Sequence, residues 1–239
     1  MASSSETGAA PAASSAPRVA VKIWDLPTRL FHWSLAVALG VCWWSGEEGN
    51  FTVHFISGHV VFGLVLFRLA WGVIGSQTAR FSDFVKGPGE IGRYLRGLFS
   101  TTRKDNALGH NPAGGLMVIL LLLATGGQAL TGLFASENTW AFVSGPLASL
   151  VGSDLSSTIT SLHKGILFDT LLVLAAVHIV AAFGYLFIKK ENLIRPMVIG
   201  HKRLPAEAAA RAPRLANPLL ALLVAAVAAG VAYGLHSLT

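Results

Sequence analysis

Residues 159–188 read ITSLHKGILFDTLLVLAAVHIVAAFGYLFI, and this stretch decides the fold. Apart from Lys164, Asp169 and two histidines it is almost wholly apolar, and it exceeds the roughly 20 residues needed to cross the hydrocarbon of a bilayer. A helix of that length spans the membrane and projects beyond it. His163 and His178 lie inside it, and an ionisable side chain in a membrane helix is costly enough to be a functional candidate by default.

Working outward, four more segments have the length and apolar content of a span: residues 27–45, 55–74, 112–134 and 219–235. Asp25 stands where the first would be capped. Composition agrees. Of 239 residues, 53% are hydrophobic and 13% charged, against about 25% charged in a soluble domain, and the mean hydropathy is +0.59. So few charges cannot clothe a water-soluble globule, but they suffice for the two ends of a bundle in lipid. The single cysteine, Cys42, lies in an apolar run. That excludes a disulfide framework, a cysteine metal site and the C-x-x-C-H attachment of a c-type haem. The expected fold is all-α and integral to the membrane: a four-helix bundle, with 219–235 as a fifth, C-terminal transmembrane helix.

The net charge of +6 raises the question of nucleic acid, and the distribution of charge answers it. Lysine and arginine crowd the segment before the first span (Arg18, Lys22, Arg29), the second-to-third connection (Arg80, Lys86, Arg93, Arg96, Arg103, Lys104) and the stretch after the fourth (from Lys189 to Arg214). The intervening loops carry Glu47, Glu48, Glu137 and Asp154. This alternation is a topology signal, with the N-terminus inside and the C-terminus outside a bacterial inner membrane. No nucleic-acid partner is expected. Residues 1–18, rich in Ala, Ser and Pro, lack the order of a signal peptide and read as a disordered cytoplasmic tail. Residues 19–203 are expected to form the main transmembrane domain, and 204–239 a linker with the last helix. Apolar spacing over Phe81, Phe84, Ile91, Tyr94, Leu95 and Leu98 predicts a short amphipathic helix at the inner interface. The loop 135–158 is expected to cap the outer end.

Four histidines fall inside predicted helices: His32, His59, His163 and His178. Counting depth pairs His32 with His178 near the inner face and His59 with His163 near the outer. Each pair comes from two helices, as a haem held between two imidazoles requires. Along one helix the fifteen steps from His163 to His178 rise about 22 Å and leave about 60° of rotation, so both face one side at two depths. Ala36, Gly40, Gly63, Ala175, Ala181 and Ala182 offer room for a flat macrocycle, although small residues also mark ordinary helix packing. Arg29, three residues before His32, is the inner candidate for a haem propionate. Lys164 is either the outer one or a snorkelling interfacial lysine. Arg68 stands about 180° round from His59 and is read as snorkelling or stacking on Trp71. His54 and His110 read as interfacial, and Gln128 and Thr131 as helix–helix glue.

The residues from Trp24-Asp25 through Arg29 to His32-Trp33, Gly58-His59 with Gly63, Phe67-Arg68 to Trp71-Gly72, Ala79 to Phe84, Gly109 to Pro112, and Glu191 to Arg203 resemble the bacterial cytochrome b561 family. That family includes b-type subunits similar to those of nickel–iron hydrogenases. The resemblance covers about residues 22–203. It implies a four-helix core with two haem b groups, ligated at His32, His59, His163 and His178, and electron transfer between quinone and a dedicated partner such as a cytochrome c or a dehydrogenase or hydrogenase subunit. The fifth helix departs from the pattern. Two rival expectations remain: a superoxide:ubiquinone oxidoreductase, and a proton-coupled transporter without haem. Arg29, His110 and the loop 135–158 are the candidate quinone contacts.

Overall fold

A computed structural model of the chain describes residues 17–98, 108–139 and 141–239. Most of the expected tail, together with Arg103 and Lys104, lies outside the described residues.

Strand β1 (Arg18–Lys22) leads into helix α1 (Leu26–Glu47). Asp25 caps α1: one carboxylate oxygen accepts from the Thr28 amide at 2.7 Å and the other from Trp71 Nε1 at 3.0 Å. This satisfies an orphan helix-start donor and ties the start of α1 to the end of the next helix. A tight turn with Gly49 at φ +67° reverses the chain into α2 (Phe51–Ile74), capped by Asn50. The two helices run antiparallel, with Phe31 against Phe67 at one end and Cys42 against His54 at the other.

Beyond α2 come two short helices, α3 (Phe81–Phe84) and α4 (Pro88–Arg96). They fall where the amphipathic segment was expected, with Tyr94 buried and Arg93 and Arg96 outward. Helix α5 (Pro112–Phe134) is capped by Asn111 and starts on Pro112. A small hairpin, β2 (Ser136–Glu137) and β3 (Val143–Ser144), precedes α6 (Gly152–Lys164) and α7 (Ile166–Phe187). The chain continues through α8 (Ile194–Ile199), β4 (His201–Pro205), α9 (Ala206–Ala209) and α10 (Pro218–His236). Strands β1 and β4 pair antiparallel, with Arg18 opposite Pro205. Arg18, expected in a disordered tail, is therefore in a strand, and that sheet bridges the expected boundary at 203–204.

Among the described residues, four helical spans are long and apolar enough to cross a membrane: Phe51–Ile74, Pro112–Phe134, Gly152–Phe187 (α6 and α7 together) and Pro218–His236. Helix α1 has 22 residues and lies along α2, but its Arg29, His32, Ser34, Ser45 and Glu47 make it less apolar. The expected single helix over 159–188 is two helices that meet at Gly165 (φ −108°, ψ −112°). His163 and His178 thus belong to different helices, and the single-helix rotation between them does not apply. Large apolar side chains such as Val180 and Leu222 face outward, as lipid contact requires.

Helix α10 packs along α2. A Cβ added at Gly63 would lie 3.1 Å from the Ala232 Cβ and 3.5 Å from the Ala228 carbonyl oxygen. The gap expected to admit a macrocycle at Gly63 is filled by the fifth helix, a small-residue contact of the kind that lets membrane helices approach closely.

Candidate functional site

His32 on α1 and His178 on α7 face each other with ring centres 6.1 Å apart and planes inclined by 57°. Helix α1 packs mainly on α2, and α7 on α5, so the two histidines meet across a seam rather than along a packed interface. The wall of α1 is open there: Ala36 is exposed, and a Cβ added at Gly40 would meet nothing within 4 Å.

The second pair is His54 on α2 with His163 on α6, ring centres 6.3 Å apart and planes at 88°. His54 Nδ1 lies 2.8 Å from the Cys42 carbonyl oxygen, and His163 Nδ1 lies 3.0 Å from that of Gln128. A carbonyl only accepts, so each Nδ1 carries the proton and each Nε2 is left as a bare lone pair, the form a metal needs. The surroundings reinforce His163. Thr131 Oγ1 sits 3.1 Å from its Nδ1, and Gln128 Nε2 donates to its carbonyl at 2.8 Å. Beneath its ring, a Cβ at Gly132 would come within 3.0 Å of Cε1. Gln128 and Thr131 do join helices, as expected, and the ring they join them around is His163.

His59 is not brought to His163. Five residues turn a helix by about 140° beyond one full turn, so His54 and His59 face apart and only one looks into the bundle. That one is His54. His59 faces α10, with its ring 5.0 Å from that of His236, its Nδ1 bonded to the Phe55 carbonyl at 2.7 Å, and its Nε2 buried without a partner. A signal for His54 existed in the sequence. His54, Gly58, Val61, Val65 and Arg68 recur at steps of four and three, one stripe of α2, and the last three are buried.

The flanking cations have contacts within the chain. Arg29 Nη1 donates to the Val198 carbonyl at 2.5 Å, which ties α1 to the end of α8. Lys164 pairs with Glu137 at 3.2 Å. Arg68, only 2% exposed, lies over the Phe81 ring at 4.9 Å rather than on Trp71. His110 sits between the rings of Trp24 and Phe84, at 4.7 and 4.6 Å. Burial, with the neighbouring Arg68 cation, pushes its pKa down to about 3, so it is neutral at physiological pH.

An iron between two imidazoles sets a spacing. A metal–nitrogen bond of about 2 Å and about 1.1 Å from nitrogen to ring centre, on each side, separate the rings by roughly 6.2 Å. Both pairs match it. Among the described residues no group of three or more His, Cys, Asp or Glu side chains is placed to hold a metal ion. The donor sets are two opposed imidazoles each, which suit a macrocycle that supplies four equatorial nitrogens itself.

No curated protein and no solved structure matches the chain. The family described as "Prokaryotic cytochrome b561" matches residues 23–200, which takes in every helix from α1 to α8 and both histidine pairs. The chain therefore belongs to the prokaryotic cytochrome b561 family, and is a multi-pass helical membrane protein and a b-type membrane cytochrome of electron transfer.

Proposed function

We propose that the chain holds two haem b groups, His32 with His178 near the inner face and His54 with His163 near the outer. It passes single electrons between a membrane quinone and a protein partner, a cytochrome c or a dehydrogenase or hydrogenase subunit. The observation that carries this reading is the pair of opposed imidazoles at 6.1 and 6.3 Å, found at opposite ends of one helical hairpin. The Phe31–Phe67 contact sets His32 level with Arg68, fourteen residues and thus about 21 Å along α2 from His54. Two centres so separated relay charge between the faces of a core about 30 Å thick.

When bound, each haem supplies a one-electron iron couple whose potential depends on ligands, burial and nearby charge. The residues supply the rest. The Cys42 and Gln128 carbonyls hold the Nδ1 protons of the outer pair, so both Nε2 atoms stay available at any redox state. The alternation of Lys- and Arg-rich connections supports an orientation with His32 and His178 at the cytoplasmic side and His54 and His163 at the periplasmic side.

The test is a dithionite-reduced minus oxidised spectrum of the purified protein in detergent, with haem counted per chain as the pyridine haemochromogen. Two b haems per chain are expected. A well-folded protein without haem would overturn the reading and leave the histidines as relay or packing groups.

A further inference from the structure

We propose that Arg68 is a positioning residue for the inner haem: its guanidinium is the counter-charge for one of that haem's carboxylates. The inference rests on the two-haem reading above and adds to it a residue that no metal bond identifies.

Arg68 is 2% exposed, and its Nη1 is buried without a hydrogen-bond partner. Three ion pairs form among the described residues, Arg80–Asp83, Lys164–Glu137 and Lys202–Glu191, and none includes Arg68. Its neighbours are ring faces, Phe81 at 4.9 Å and Phe84 at 5.9 Å, and the buried Asp25 carboxylate attracts it from the start of α1 without forming an ion pair with it. The rings contribute some cation–π attraction but no hydrogen bond. A guanidinium does not escape burial by losing its proton, and a buried charged group with an unmet hydrogen-bond donor is costly. The Asp25 carboxylate offsets part of the charge but leaves the buried Nη1 donor unfilled, and that donor points to a further acceptor from outside the chain.

The position says which acceptor. The Phe31–Phe67 ring contact brings the Arg68 level of α2 beside the His32 level of α1. Phe84, under the guanidinium, also touches His110, whose charge environment includes Arg68, His32 and His178 together. Arg68 therefore shares its surroundings with the inner histidine pair. A haem between those imidazoles carries two carboxylates on its edge, whereas a quinone is neutral. Arg29 is only partly buried and is engaged through Nη1 with the Val198 carbonyl, although its Nε also lacks a partner. A planar guanidinium facing a carboxylate also has the geometry for a strong paired hydrogen bond.

The consequence is electrostatic. With the guanidinium in place, the carboxylate's negative charge is balanced beside the iron. Without it, that charge favours the more positive, oxidised iron and lowers the potential.

The experiment is a redox titration of the full-length dihaem protein in detergent, wild type against R68Q and R68K. R68Q is expected to shift the inner haem's reduction equilibrium toward the oxidised form by about tenfold, 59 mV for a one-electron couple, with the outer haem unmoved. R68K is expected to recover most of the shift. An unchanged inner potential in R68Q would overturn the inference, including the case in which only quinone turnover changes. If R68Q fails to retain the inner haem, the unaltered protein decides. Loaded with the dimethyl ester of the haem, which has no free carboxylate, its inner site is expected to bind at least about tenfold more weakly than with ordinary haem. Equal binding would refute the role of Arg68. Absence of any haem from the wild type would instead sink the underlying two-haem reading.

Discussion

Replacing His54 and His59 separately by alanine discriminates between two faces of one helix. His54 points at His163 across 6.3 Å, while His59 points at His236 across 5.0 Å. H54A removes one of two axial donors from the outer site, so haem per chain should fall from two toward one, with the inner haem's spectrum intact. H59A removes a buried imidazole that bonds only to the Phe55 carbonyl of its own helix. The cavity it leaves costs stability, but the variant also removes a buried Nε2 that has no partner, and such groups carry a penalty of about 1–3 kcal/mol. The two effects oppose each other, so the net change should be on the order of 1 kcal/mol, with two haems retained. The assay is haem count against protein, followed by thermal unfolding in detergent at fixed detergent concentration. One haem in H59A and two in H54A would refute the assignment and restore the pairing of His59 with His163.

Substituting Gly132 by valine should evict the outer haem without unfolding the bundle, because even a Cβ there comes within 3.0 Å of His163 Cε1; haem counting checks it. Low-temperature electron paramagnetic resonance of the oxidised protein should resolve two low-spin species, and the one lost in H54A should be the more anisotropic, since its imidazole planes stand at 88° rather than 57°. Gly63→Leu should loosen α10 from α2 at a cost of about 1–3 kcal/mol, read as a lower unfolding temperature with both haems still bound. Glu137 has its pKa lowered from 4.5 to about 2, first by hydrogen bonds from Thr139 and then by Lys164. Because the folded value is the lower one, the contribution is present above about pH 4.5 and lost as pH falls toward 2. Glu137→Gln should therefore flatten acid unfolding in that window and leave stability near pH 7 unchanged in its pH slope.

Much of the protein was legible in the sequence because membrane helices obey one-dimensional rules. Twenty apolar residues in a row have few alternatives, so the spans at 55–74, 112–134 and 219–235 lie within a few residues of α2, α5 and α10. Caps were equally local: Asp25 and Pro112 stand at helix starts because the orphan amides of a first turn need what they offer. Depth counting put His32 near His178 with an offset left to helix tilt, and the two rings stand 6.1 Å apart.

Rotation about the helix axis was not legible in the same way. Depth counting favoured His59 over His54, because His54 sits only one turn from the mouth of α2. Which of the two faces the bundle depends on how α2 is turned between its neighbours, and that depends on α10 packing into Gly63, a contact between residues more than 160 positions apart in the chain. The break at Gly165 likewise redirects α6 so that His163 meets α2 and α5 together, although the residues around it are apolar enough for one continuous helix. Arg68 shows the same limit. By itself it is one arginine near the end of an apolar helix, free to snorkel. Only the packing of Phe81 and Phe84 over it leaves the cation buried with its Nη1 donor unfilled. Sequence determined where the apolar spans at 55–74, 112–134 and 219–235 lie, because that depends on each segment's own free energy in lipid. Tertiary structure decided their rotation and hence the partners of each histidine, because those depend on side chains of several helices competing for the same space.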